Sequence, residues 1–414
     1  MPVIITNVTL IDADGIRPEA AIEIADDRIV RVGTARDFGH RLETPTLDGG
    51  GRWVLPGLID VHVHLALDAT PNCLSTPRNP DDPALWDLAC RNAQLLLHSG
   101  VTTAVDCGSP GDLGVRLRDA IAEGRQVGPR LLVSGPALTV EGGHGSWFGC
   151  VAPDSPRIVE VAREILESGV DFLKVMTSGG STPGSVAPWQ ACFSVSTLTA
   201  LVDFAERQGV HVVAHARSAT AIRSCVEAGV HRIEHVTFET GPGTVAFDEE
   251  TIRLTLERGT WVDPTLPAGR RAVTTDAIGS ERRRQLELAF ALRDPQYRRM
   301  AEMGVPLLAG TDAGTPLVGF NDFSLGPTLL VDICGFSPMD AIKAATSWSA
   351  EALGISDVVG RLRPGMLADL IMLDANPLTD LGAFRDVVAV MKGGKWVRCI
   401  GDSITPRVPD QPLN

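Results

Sequence analysis

Alternation of apolar and polar positions marks both ends of the chain. Val3-Ile4-Ile5-Thr6-Asn7-Val8-Thr9-Leu10, Ala21-Ile22-Glu23-Ile24 and Arg28-Ile29-Val30-Arg31-Val32 read as short strands, broken by Asp-Gly and Asp-Asp turns. Ala368–Leu373, Val387–Met391 and Lys395–Val397 have the same character, with Gly393-Gly394 as a hairpin signal between the last two. Neither set is large enough to fold alone. Residues 1–56 and 352–414 are therefore expected to build one small β-sandwich domain, with the middle of the chain inserted into it.

From residue 57 to 351 the pattern changes to apolar strands alternating with helical segments, the signature of a parallel sheet with crossovers. Strands are placed at Leu58–His64, Thr102–Asp106, Arg130–Ser134, Asp171–Met176, Val210–His215, Arg232–His235, Thr260–Asp263 and Pro306–Thr311. Helical periodicity falls between them, for example at Arg157–Ser168, Thr197–Gln208, Ala219–Ala228 and Arg282–Met303. The expected class is α/β, a (β/α)8 TIM barrel. An open doubly wound sheet is the alternative, but no G-x-G-x-x-G follows any of these strands.

Composition narrows the picture. With 414 residues the chain suits one large barrel plus a smaller domain, and 44% hydrophobic against 21% charged residues indicates a filled core. A net charge of −14 argues against nucleic acid and anionic membranes as partners. No apolar run reaches transmembrane length, and Met1-Pro2-Val3-Ile4 lacks the charged start of a signal peptide. The eight cysteines are scattered, with no C-x-x-C, as suits reduced thiols in a cytoplasmic protein.

The candidate chemistry starts from Pro56-Gly57-Leu58-Ile59-Asp60-Val61-His62-Val63-His64. Side chains two apart on a strand share a face, so His62 and His64 project together and can hold one metal ion with positions left open. In a barrel, reactive groups gather at the C-terminal ends of the strands. Read in turn, those ends carry His62 and His64, then Lys174, His215, His235 and Asp312.

Lys174 is either a lysine paired with a buried carboxylate such as Asp312, or a neutral amine that adds carbon dioxide. The resulting carbamate would bridge two divalent cations. The convergence of four histidines and an aspartate favours the second reading. His211 and His231 start their strands and read as structural; His40 and His98 carry no role.

With these residues in order, the chain resembles the amidohydrolase superfamily over essentially its whole length, including the Arg363-Pro364-Gly365-Met366-Leu367-Ala368-Asp369-Leu370 stretch. Gly142-Gly143-His144-Gly145 and Lys174-Val175-Met176-Thr177-Ser178-Gly179-Gly180 resemble its imidazolonepropionase-like branch, which includes Xaa-Pro dipeptidases and ochratoxin-type amidases. The resemblance implies a binuclear centre, commonly zinc. His62, His64 and Asp312 would hold one ion, His215 and His235 the other, with carboxylated Lys174 between them. It also implies a homo-oligomer.

One departure bears on substrate. Such relatives often carry a tyrosine two residues after the fifth-strand histidine, where it contacts substrate carboxylate. Here the sequence is His215-Ala216-Arg217, and the only tyrosine is Tyr297, in a predicted helix. Arg217 is either a carboxylate clamp or a salt bridge to a neighbouring loop.

The expected reaction is hydrolysis of an amide bond in a small molecule, an N-acyl amino acid or dipeptide; cyclic amides, carbamates and aryl ureas are the alternative. A scaffold that lost its chemistry is a third reading, against which the intact ligand set counts. Asp312 is placed to move the proton from water to the leaving nitrogen. His144 would hydrogen-bond the scissile carbonyl, unless it is a plain loop histidine. Loops at Asp68–Ala84, Ala137–Pro153, Ser178–Cys192 and Thr311–Ser324 should cover the mouth, with Trp147, Phe148, Trp189 and Phe193 as candidate walls.

Overall fold

The structure, a computed structural model, describes residues 2–38, 44–75, 78–152, 155–274 and 278–399. His40 and residues 400–414 of the expected β-domain lie outside the described residues. The chain divides into two compact units. One comprises Met1–Ile59, Leu95–Thr103 and Ser337–Asn414; the other comprises Asp60–Gln94 and Ala104–Phe336.

In the first unit, segments from both ends of the chain share one mixed seven-stranded sheet. Its order is Lys395–Cys399, Val387–Lys392, Leu370–Leu373, Thr46–Pro56, Val3–Asp12, Gly15–Ala25 and Arg28–Thr34. Ile5, Val8, Leu10, Ile22, Ile24, Val54, Leu370, Met372 and Met391 are members of one core cluster, the burial that alternating apolar positions predict. The outer strands meet at their turns: a Cβ added to Gly394 would lie 1.9 Å from the Asp26 carbonyl oxygen. Only glycine fits there.

Strand Thr46–Pro56 has no clear signature in the sequence. Gly49-Gly50-Gly51 interrupts its alternation, and pairing with Val3–Asp12 jumps from Thr6↔Asp48 to Val8↔Arg52. Gly50 and Gly51 have φ of 65° and 78°, and a Cβ on Gly49 would sit 2.1 Å from Val8 Cγ1. The glycines are the bulge itself.

The second unit holds the carboxyl halves of Leu58–Val63 and Val101–Asp106, then strands Arg130–Val133, Leu173–Met176, Val212–Ser218, Arg232–Gly241 and Trp261–Asp263. Leu173–Met176, Val212–Ser218, Arg232–Gly241 and Trp261–Asp263 pair in parallel in that order. The helices between them begin and end where the sequence signals. Ser194 and Ser218 cap Val195–Arg207 and Ala219–Ala228 by accepting backbone N–H groups, and Gly229 ends the latter with φ 80°. The chain is α/β with a TIM-barrel-like arrangement.

The eighth expected strand is corrected. Pro306–Thr311 forms no strand and makes a single bridge, Leu307 to Val262. It still runs extended between the expected seventh and first strands: Leu308 N–H donates to Val262 O at 2.9 Å and Val61 N–H to Ala309 O at 3.5 Å. No described helix is long and apolar enough to cross a membrane.

Candidate metal centre and substrate cavity

Strand geometry brings His62 and His64 onto one face, with their Nε2 atoms 3.3 Å apart. Asp312 joins them: its Oδ1 lies 3.5 Å from His62 Nε2 and 3.2 Å from His64 Nε2. The extended segment carries Asp312 there because its N–H donates to His62 O at 2.8 Å, while His64 N–H donates to Ala313 O at 2.8 Å. Buried Asp60 holds the same junction, accepting from His62 N–H and from the Thr311 N–H and hydroxyl.

The outer nitrogens of the two imidazoles are already engaged. His62 Nδ1 faces Asp263 Oδ2 at 3.2 Å and His64 Nδ1 faces Gly108 O at 3.4 Å. A carboxylate and a carbonyl only accept, so both Nδ1 atoms carry the proton and both Nε2 lone pairs point at the shared space. Burial, with the Lys174 charge next, holds the His62 pKa well below the ordinary histidine value. Two neutral imidazole lone pairs and one carboxylate oxygen form a divalent-cation donor set.

His215 and His235 lie beside this cluster, with ring centroids 4.6 Å apart and His235 5.5 Å from His62. Burial lowers both pKa values well below the ordinary range. His235 Nδ1 is 2.8 Å from Thr265 Oγ1, and His215 Nε2 is 3.0 Å from Gly179 O. His235 and Asp312 have φ of 68° and 61°, left-handed values that non-glycine residues adopt at a cost.

Lys174 is 1% exposed and lies against the Glu234 carboxylate. Its buried carboxylate partner is thus Glu234. Burial lowers the amine to about 8, within reach of the neutral form that adds carbon dioxide. Glu234 in turn faces His62 Nε2 at 3.5 Å and Arg232 at 3.6 Å. Cys107 also lies near His62 and Glu234, but burial raises its thiol to about 11 and keeps it protonated.

Glu234, Arg232 and Asp263 were absent from the sequence-derived site. Asp263 closes the seventh expected strand, so the strand-end rule that selects His215 and His235 also reaches it. Glu234 precedes His235 and by strict alternation would face away; the left-handed turn at His235 breaks that alternation.

A cavity of about 520 Å³ opens above the cluster, lined by His62, His64, Lys174, His215, His235 and Asp312. All four expected loops reach it, through Leu74, His144, Thr182 and Leu317 among others. Trp147 and Phe148 line it, whereas Trp189 and Phe193 are not among its walls. One wall was not anticipated: helix Ser280–Glu302 contributes Arg282, Gln285, Leu286, Ala289 and Arg293.

His144 packs 4.6 Å from His215, centroid to centroid. The Thr182 N–H approaches His144 Nδ1 at 3.4 Å, which makes that nitrogen the acceptor and leaves the proton on Nε2. Burial, then the Arg217 charge, pushes its pKa to about 3. Arg217 lines the cavity but is tied down: Nε and NH2 donate to Glu239 Oε1 at 3.0 and 2.6 Å, and NH1 to Ser181 at 3.2 Å. His211 and His231 stack on each other, with centroids 3.8 Å apart, and are not among the cavity's walls.

The sequence profile of the Amidohydrolase family matches residues 53–397. Ochratoxinase of Aspergillus niger is 29% identical over 94% of this chain and 84% of its own length, and its crystal structure superposes with a TM-score of 0.83. The crystal structure of a Xaa-Pro dipeptidase with bound methionine gives a TM-score of 0.84 at 27% identity, covering 96% of this chain and all of that one. Imidazolonepropionase of Anaeromyxobacter sp. (strain K) is 24% identical over 92% of this chain and 91% of its own. Sequence, fold and the donor set beneath the cavity agree, and the chain belongs to the amidohydrolase family of metal-dependent hydrolases acting on amide C–N bonds.

Proposed function

We propose that this protein hydrolyses an amide bond of a small N-acyl amino acid or dipeptide at a binuclear metal centre. The observation that carries the reading is the meeting of His62 Nε2, His64 Nε2 and Asp312 Oδ1 within 3.5 Å at the floor of a closed-in cavity. His62, His64 and Asp312 would hold one divalent cation, His215 and His235 the other, with Lys174 as a bridging carbamate; zinc suits this nitrogen and oxygen set. The hydrogen bonds of the extended Pro306–Thr311 segment to both neighbours support a closed (β/α)8 barrel over 57–351. The meeting of outer turns at Gly394 supports a sandwich built from 1–56 and 352–414.

Divalent cations held by these residues would lower the pKa of a water to about 7 and polarise the scissile carbonyl. The chain's own groups do the rest. Asp312 takes the proton of the attacking water and returns it to the leaving nitrogen. His144 donates from Nε2 to the carbonyl oxygen as charge builds there. Trp147, Phe148, Leu67 and Leu74 exclude water on the His64 side.

The test is elemental analysis of the purified protein beside hydrolysis of an N-acyl amino acid and dipeptide panel. About two equivalents of divalent metal with amide cleavage supports the reading. Two equivalents without cleavage would move the substrate to lactams, carbamates or ureas, and no stoichiometric metal would overturn the centre.

A further inference from the structure

The cavity wall on helix Ser280–Glu302 holds a cation without a counter-ion. Arg217 is neutralised by Glu239 and Arg270 by Asp294. Arg293 makes no hydrogen bond or ion pair among the described residues, and its Nε is buried without an acceptor. Its guanidinium rests 5.0 Å from the Phe290 ring centroid, while Arg270 stacks on the same ring at 3.8 Å. The Glu239 carboxylate, whose charge also reaches Arg293, is already shared by Arg217 and Thr237.

Arg293 is half-buried, and its Nε is shut off from water without an acceptor, so the guanidinium lacks the partner that an anion in the cavity would supply. Burial and the Arg217 and Arg270 charges accordingly lower its pKa. Arg293 nonetheless lines the cavity. A planar fork of donors facing the substrate space matches a carboxylate.

Its place on the helix gives direction. Tyr297, four residues on and so on the same face, reaches His235 O at 2.7 Å. Arg293 is therefore on the His235 side of the site. The aromatic wall is on the other: the Phe148 ring centroid is 6.4 Å from that of His64, and Trp147 packs on Leu67 and Leu74.

Resting on the amide-hydrolase reading above, we propose that Arg293 anchors the substrate's carboxylate on the His235 side, with the acyl group against the aromatic wall beside His64. The released amine is then the carboxylate-bearing half, a free amino acid.

The test compares holoenzyme with and without Arg293→Gln on N-benzoyl-L-phenylalanine and its C-terminal carboxamide, reading benzoate release. L-phenylalanine binding is measured by calorimetry in parallel. Wild type should prefer the acid, and the substitution should lower kcat/KM for the acid by ~10- to 100-fold, the range of a lost charge-assisted pair, chiefly through KM. L-phenylalanine binding should weaken by a similar factor, and Arg293→Lys should restore part of both.

An acid-to-carboxamide ratio unchanged by Arg293→Gln would overturn the anchor while leaving amide hydrolysis standing. Arg293-dependent binding of L-phenylalanine with no benzoate release would overturn hydrolysis of this amide and uphold the anchor. Should the substituted protein not fold, the wild-type ratio decides: a value near one overturns the proposal.

Discussion

The hydroxyl of Tyr297, the chain's only tyrosine, donates to the carbonyl of His235 at 2.7 Å. His235 has a left-handed backbone, and the phenol is a hydrogen-bond partner of its carbonyl. Tyr297→Phe removes it and leaves a buried acceptor unsatisfied. Denaturant unfolding should show a loss of about 1–2 kcal/mol, and a competing chelator should strip metal from the variant at lower concentration. Unchanged stability and chelator resistance would remove this support from His235.

The contact of Lys174 with Glu234 makes carboxylation testable without a substrate. Carbon dioxide adds only to the neutral amine, which burial favours here. Metal-stripped protein should therefore reload faster with bicarbonate present than in carbonate-free buffer, as followed by elemental analysis over time. Lys174→Ala should hold fewer than two equivalents and show no bicarbonate effect.

Asp263 accepts from His62 Nδ1 and leaves Nε2 as the nitrogen that faces His64 and Asp312. It fits because Gly310 carries no side chain: a Cβ there would lie 2.2 Å from Asp263 Oδ2. Asp263→Ala should weaken metal affinity by ~10- to 100-fold, the usual range for such supporting carboxylates. Chelator competition measures it, and an affinity equal to wild type would reject the orienting role.

Gly180 lies under the His144 ring, where an added Cβ would come within 2.5 Å of it. Gly180→Ala must displace the imidazole from its place above the centre. Turnover should fall by about 10-fold or more while metal content stays at the wild-type value, since His144 is not among the proposed ligands. A parallel loss of metal would show that His144 supports the centre itself.

Asp312→Asn keeps the side chain's size and removes its basicity. If Asp312 moves the proton, kcat should fall by ~10²–10⁴-fold. A near-normal rate with full metal occupancy would assign the proton transfer elsewhere.

Much of the site is legible because its chemistry coincides with strand ends. His62 and His64 are two apart on an apolar strand, and period-two geometry alone brings their rings together. Lys174 and His215 lie in short buried strands, where a lysine or histidine is conspicuous against Val, Leu and Ala. The Asp-Gly turns, serine caps and terminal glycines likewise act over a few residues, so the elements they bound follow from local reading. Two elements are exceptions. Three glycines hide strand Thr46–Pro56, and the eighth segment makes only isolated hydrogen bonds to its neighbours.

Other features depend on contacts that no local pattern encodes. Lys174's partner proved to be Glu234, which shares the buried face of Arg232 two residues earlier, while left-handed backbone at His235 and Val236 brings the next side chain to the same site. Arg217 and Arg293 are both arginines near the cavity, and nothing in their flanking sequence distinguishes them. Glu239, at the far end of the next strand, neutralises one and leaves the other unpaired. The sequence by itself determined which histidines share a face at the strand ends and the class of chemistry, since spacing on a strand fixes which side chains project together. Only the tertiary structure decided which charges are spent on each other and which face the substrate, because that depends on where a helix some sixty residues further along the chain comes to rest.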